Sequence, residues 1–244
     1  MNLKVKTHLF IEKILDTIFP VRLGLRSKPI QDLDELQANL LSILDNNIEQ
    51  SHIKNKEVAQ RFIDNIDTLY SDLQKDLQAI YNGDPSAKSI NEIILTYPGF
   101  QAIACYRMAH YLLNNGVCLI PRLITEYAHS QTGIDIHPGA EIGHHFCIDH
   151  GTGIVIGETT IIGNHVKIYQ GVTLGALSIQ DRNKSKGKRH PSIGHKVVIY
   201  AHAIILGGET TIGDNSIVGG NVWLTESIPA NSKIYFDNKF TRQY

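Results

Sequence analysis

The sequence predicts an α+β chain in two parts, an N-terminal α-helical bundle followed by a C-terminal left-handed parallel β-helix of hexapeptide repeats. Two observations carry this. Apolar residues recur at helical spacing as far as Asn115, and from about Ile134 aliphatic residues recur at every sixth position, often with glycine directly behind them. A period of six fits neither a helix nor a simple strand; it is the spacing at which each repeat forms one flat side of a triangular coil.

In the first part, Leu3 to Ile18 carries an apolar stripe and stops near Pro20. A longer helical stretch is expected from Ile30 to Tyr81. Leu33, Leu36, Leu40, Leu41 and Ile43 form one of its stripes, and Ile63, Ile66, Leu69, Tyr70, Leu73 and Leu77 another. Gly83-Asp84-Pro85 then punctuates the chain. Asp84 suits a helix N-cap, with Pro85 at the first helical position of a segment containing Ile90, Ile93 and Ile94. A further helix is expected from about Gly99 to Asn115, closed by Gly116. The breaks are short, so residues 1–130 read as one α-helical domain.

In the second part the repeat starts at Ile136, Ile142, Ile148 and Ile154, and after a two-residue shift continues at Ile156, Ile162, Ile168 and Leu174. It resumes at Ile193, Ile199 and Ile205, and with one residue of slip runs through Leu206, Ile212, Val218 and Leu224. The aliphatic side chains should point into the prism, with glycine and small residues at corners that need tight or left-handed backbone. The β-helix is therefore assigned to residues 131–232 and a C-terminal tail to 233–244. A basic insertion at about 176–191 interrupts the repeat, and a solenoid accepts such an insertion only as a loop leaving a corner. Its ending, Lys186-Gly187-Lys188-Arg189-His190-Pro191, suits an anionic ligand on the neighbouring coil. The plainer alternative is an excursion that binds nothing.

Composition narrows the function classes. The 244 residues carry a formal net charge of −1, which removes a bulk electrostatic case for nucleic acid. No apolar run approaches the roughly 20 residues that span a bilayer, so no membrane association is expected. The opening MNLKVKTHLFIEKIL lacks the apolar core of a signal peptide. Cys105, Cys118 and Cys147 have neither metal-ligand spacing nor an even-numbered disulfide pattern, which fits a reducing, cytoplasmic setting.

Histidine clusters around the early coils, at His129, His137, His144, His145, His150 and His165, and returns at His190, His195 and His202. This raises a metal hypothesis, because carbonic anhydrases of the γ class bind zinc through histidines on the same solenoid. Solvated side chains on a flat face explain His144, His165, His195 and His202 as well. His150 differs. It follows Asp149 and precedes Gly151-Thr152-Gly153, whose small residues let a ligand approach. Asp135 lies fifteen residues earlier. One coil takes about eighteen, so the two are expected as near-stacked neighbours on adjacent coils. A carboxylate beside an imidazole fixes its tautomer and stabilises the imidazolium, the arrangement of a general base for a hydroxyl. The plainer alternative for Asp135 is a corner carboxylate capping backbone amides. Cys147 is placed on the opposite register from Asp149, in a packing role.

The run DIHPGAEIGHHFCIDHGTGIVIGET, then VTLG and KRHPSIG, together with GDPSA and YPGFQAIACYRMAHYL before them, resembles bacterial serine acetyltransferases of the hexapeptide-repeat superfamily. The resemblance spans roughly residues 83 to 229. It implies acetyl transfer from acetyl-CoA to the L-serine hydroxyl without a metal. His150 would be the general base and Asp135 its orienting partner. Arg189 would hold the serine carboxylate with help from His190, and Asp84 and Asp149 would accept from the serine ammonium. Gly175, Ala176 and Ala201 match positions that leave room for the pantetheine arm of CoA. A homotrimer with sites between subunits is implied too, with a dimer of trimers through the helical half as the larger form. Two departures stand out. Gly175-Ala176-Leu177-Ser178 replaces a glycine-rich segment of enterobacterial members, and the chain ends at Tyr244 rather than at isoleucine, which argues against docking to cysteine synthase. Three rival readings remain: a hexapeptide acetyltransferase with another small acceptor, a γ-carbonic-anhydrase-like metalloenzyme, and a non-catalytic scaffold.

Overall fold

A computed structural model of the chain describes residues 1–25, 33–46, 52–177 and 187–236. Among these residues seven α-helices come first: α1 (Leu3–Ile18), α2 (Leu33–Leu44), α3 (His52–Asp64), α4 (Ile66–Gly83), α5 (Ile90–Thr96), α6 (Pro98–Asn114) and α7 (Leu119–Thr132). The stretch read as Ile30 to Tyr81 is thus divided among three helices. Helix α7 was not anticipated. Its Ile120, Ile124 and Ala128 are buried at helical spacing, and Pro121 is tolerated because it lies in the first turn, where its missing N–H has no partner to lose. None of the described helices is long and apolar enough to cross a membrane.

Asp84 is not the N-cap of α5. Ser89 takes that role and accepts from the Glu92 amide at 3.1 Å, while Glu92 accepts from the Lys88 amide at 2.6 Å. Asp84 instead follows the end of α4 and accepts from the Ser86 amide at 2.8 Å in an Asx turn.

Among the described residues, fourteen strands of two or three residues run from Asp135–Ile136 to Lys233–Ile234 and stack in parallel into three sheets, one for each side of the left-handed prism. The first face is entered at Asp135, Val155, Thr173, Ile204 and Trp223; the second at Glu141, Ile161, Ser192 and Thr211; the third at Cys147, Lys167, Val198, Ile217 and Lys233. Each repeat sends two residues inward rather than one. On the first face the column Ile136, Ile156, Leu174 and Ile205 is joined, two positions earlier, by Ile134, Ile154, Val172 and Ala203. Ile154 therefore belongs to the second column. Leu206 faces outward, and the residue of slip is Gly207, whose φ of 106° turns the corner. Glycine does not own the corners: His145, His165, Lys196 and Asn215 turn successive coils from the second to the third face, all with positive φ.

The helical half is fastened to the solenoid by a buried ion pair. Arg107 on α6 donates through Nε to Asp76 Oδ2 at 3.0 Å and through Nη2 to Asp76 Oδ1 at 3.1 Å. Its guanidinium also donates to the carbonyls of Ile142 (2.7 Å) and Gly143 (2.6 Å), while Asp76 Oδ1 accepts from the Phe146 amide at 2.9 Å. Asp76 is wholly buried on α4. The end of that helix, the Gly83-Asp84 turn, thereby comes to rest against the strand Cys147–Asp149.

Candidate active site

Departures from the six-residue period mark the site. From third face to first the chain takes six residues between Lys167 and Thr173, between Val198 and Ile204, and between Ile217 and Trp223, but eight between Cys147 and Val155. The extra pair falls in His150-Gly151-Thr152-Gly153. His150 has φ 59°, Gly151 φ 95° and Gly153 φ 83°, so this corner bulges out of the prism. The His150 side chain is 71% exposed on the bulge, open to approach from solvent. Its Nε2 lies 3.7 Å from Asp149 Oδ1.

Asp149 shares its outward face with Cys147, since residues two apart in a strand point the same way. The expectation of opposite registers is corrected on that ground. Cys147 Sγ lies close under Gly83, where a Cβ would meet it at 3.1 Å. Beside them, Lys167 Nζ contacts Asp149 Oδ2 at 2.8 Å and donates to the Gly83 carbonyl at 2.6 Å. Asp84 Oδ2 accepts from the Tyr97 hydroxyl at 2.6 Å. That bond holds Asp84 below the usual carboxylate range and pushes the Tyr97 phenol up to about 12. His150, Asp149 and Asp84 thus gather on one side of the first face, with two residues that sequence reasoning missed. Tyr97 lay in the motif YPGF, and Lys167 was legible only as the register partner of Cys147.

Arg189 and His190 lie at the opposite edge, on the corner from first face to second. Arg189 pairs with Glu158, whose carboxyl is lowered first by that hydrogen bond. His190 is buried and its ring covers Gly157 so closely that a Cβ there would come within 2.0 Å of it. The Thr159 amide donates to His190 Nδ1 at 3.1 Å, which leaves the ring proton on Nε2. Burial, aided by the Arg189 charge, lowers this imidazole to about 4. As pH falls from about 6.5 towards that value, the unfolded chain takes up a proton that the native ring refuses, so His190 lowers stability across that window. An NMR titration should find the ring neutral, protonated at Nε2, well below pH 6; an ordinary histidine midpoint would contradict this geometry.

Asp135 is not stacked with His150. Its ladder partner is Val155, twenty residues on, because the bulge lengthens the first coil. Its carboxylate lies 3.8 Å from Arg122. Gly175 ends a strand on the first face with Ala176 just beyond it, and Ala201 lies in the turn from third face to first. The CoA-matching residues therefore divide between the same two edges as the others. Part of the basic loop, residues 178–186, and the tail from residue 237 lie outside the described residues. One set of possible metal ligands converges among the described residues, Glu126, His129 and Asp135, with a single histidine and with Arg122 against both carboxylates.

A family model described as serine acetyltransferase, N-terminal, matches residues 20–105. A curated serine acetyltransferase, plasmid, of Synechococcus elongatus is 52% identical over 182 residues, 73% of this chain, and the chain spans 57% of that relative's length. Among solved structures, serine acetyltransferase isoform 3 from Entamoeba histolytica in complex with cysteine superposes with a TM-score of 0.84 at 35% identity, over 100% of this chain and 84% of that one. A Neisseria gonorrhoeae serine acetyltransferase in complex with serine gives a TM-score of 0.69 at 28% identity, over 98% and 96% of the two chains.

Proposed function

The chain belongs to the serine acetyltransferase family, and from that premise we propose that it moves the acetyl group of acetyl-CoA to the hydroxyl of L-serine. The products are O-acetyl-L-serine and CoA, and the reaction opens cysteine biosynthesis from serine. The observation that carries the reading is the division of charge around the exposed base. Two carboxylates, Asp84 and Asp149, stand on the His150 side of the first face, and Arg189 with the Nε2–H of His190 stands on the other edge. A zwitterionic amino acid with a hydroxyl on its side chain is the acceptor that satisfies both.

In this reading the carboxylates take the serine ammonium and the Arg189 guanidinium takes its carboxylate. His150 removes the hydroxyl proton as the oxygen attacks the thioester carbonyl. The tetrahedral adduct then expels the CoA thiolate, which receives that proton from the imidazolium. No covalent acyl-enzyme forms. Asp135 orients the imidazole, which is exposed enough to turn towards it, while Asp149 engages the ammonium. Holding acceptor and thioester together supplies up to about 7–11 kcal/mol.

The two half-sites flank the first face of one prism, so the reading completes each site between neighbouring copies in a trimer. The outward column of that face supports this: Val155 and Trp223 are large, apolar and exposed, a surface that packing against another copy would cover. The assigned setting is a reducing cytoplasm, in keeping with three unpaired cysteines. The test is CoA release from acetyl-CoA that requires L-serine, repeated with co-expressed His150→Ala and Arg189→Ala chains. Each variant alone should keep only a small residual activity and the mixed assembly should regain part of the wild-type rate. Release with a different acceptor would refute the substrate, and mixtures that regain nothing would refute the shared site.

A further inference from the structure

Lys167 has no part in the roles above, yet its ammonium lies where three elements meet. Nζ donates to the carbonyl of Gly83, the last residue of α4, at 2.6 Å; it stands 2.8 Å from Asp149 Oδ2 and 4.5 Å from the centre of the Tyr169 ring. The side chain is 17% exposed. Each contact has a physical reason. The last carbonyls of a helix lack intrahelical donors and lie at the negative end of its dipole, so a cation there is favoured. A charge-assisted bond to a half-buried carboxylate is stronger than one in open water, and the ring face attracts the ammonium as well. The neighbouring Cys147 thiol, pushed up to about 12 by burial, stays protonated and does not compete for the cation.

The consequence concerns the two carboxylates assigned to the ammonium. Asp84 belongs to the helical half, with Oδ1 engaged by the Ser86 amide and Oδ2 by Tyr97. Asp149 belongs to the solenoid, where Oδ1 faces His150 and Oδ2 faces Lys167. Two carboxylates on separate elements repel each other and have no reason to hold one spacing. We infer that Lys167 is a positioning residue for acceptor binding, fastening Asp149 to the Gly83-Asp84 turn so that the two carboxylates form one preorganised receptor for an ammonium group. This rests on the proposed serine reading for the identity of the acceptor and on the geometry alone for the fastening.

The test compares full-length wild type with Lys167→Met and Lys167→Arg. In Lys167→Met the KM for L-serine should rise by about 10- to 100-fold, the range of one lost charge-assisted hydrogen bond. The KM for acetyl-CoA and the kcat should change little. Lys167→Arg, which keeps a cation able to reach both acceptors, should recover most of the loss. Amide exchange at Ser86 and Ala87 should speed up in Lys167→Met and not in Lys167→Arg. An unchanged serine KM, or a loss shared equally by both substrates, overturns the inference. If the wild type itself does not use L-serine, the serine reading falls, and Lys167 is judged on exchange: unaltered protection at Ser86 and Ala87 overturns its role, and accelerated exchange sustains it.

Discussion

Replacing His150 with alanine is expected to lower kcat for serine-dependent CoA release by about 10²- to 10⁴-fold, the usual contribution of a general base. The side chain is 71% exposed and its one close ionic neighbour among the described residues is Asp149 at 3.7 Å, so little packing is lost and the thermal midpoint should stay close to that of wild type. The backbone needs a control, because His150 sits at φ 59° and alanine is less at ease there than the residues that favour left-handed turns. His150→Asn supplies it: asparagine accepts that conformation, keeps a polar side chain and cannot act as a base at neutral pH. Both variants should bind L-serine with near-native KM in the residual reaction. If His150→Asn kept more than about a tenth of wild-type kcat, well above what loss of a base allows, the base would have to be sought elsewhere.

Asp76→Ala should be the most damaging substitution outside the reacting groups. It strands the Arg107 guanidinium, 10% exposed, among the carbonyls of Ile142 and Gly143, and removes the acceptor of the Phe146 amide. Breaking one side of a buried pair costs about 3–5 kcal/mol, because an uncompensated charge stays out of water. For a chain of this size each kcal/mol moves the midpoint by about 2–4 °C, so a fall on the order of 10 °C is expected in calorimetry. Replacing both partners by apolar residues of similar volume should recover much of that loss, since the remaining charge is gone. The same joint places the end of α4, so the surviving native fraction should also show a raised KM for serine. A single variant with an unshifted midpoint would mean that the pair does not carry the junction between the halves.

How much of this was legible beforehand differs by element. The six-residue period and its departures are local properties of the chain; the sequence put the two-residue shift between Ile154 and Ile156, the structure puts its extra pair at His150 to Gly153, and the long break ends at Arg189 and His190. Helix boundaries were less legible. Pro121 hid α7, and Asp84 looked like a cap because capping residues and turn residues share the same short polar side chains. Corner residues misled in a similar way. Histidine, asparagine and lysine reach positive φ in this solenoid, so glycine alone did not trace its turns.

The sequence by itself determined the class of fold and the inward column of aliphatic residues, and it named the kinds of group proposed for the site, because periodicity and motif chemistry are written in consecutive residues. Only the tertiary structure decided which of those groups are neighbours. The bulge lengthened the first coil to twenty residues, so Asp135 pairs with Val155 and Asp149 takes the place beside the imidazole. The docking of the two halves brought Lys167 under a helix end eighty-four positions away in the chain, and the long break set Arg189 and His190 across the first face from His150. Such contacts follow from register, corner length and the docking of one half on the other, which are sums over many residues and have no signature at any single position.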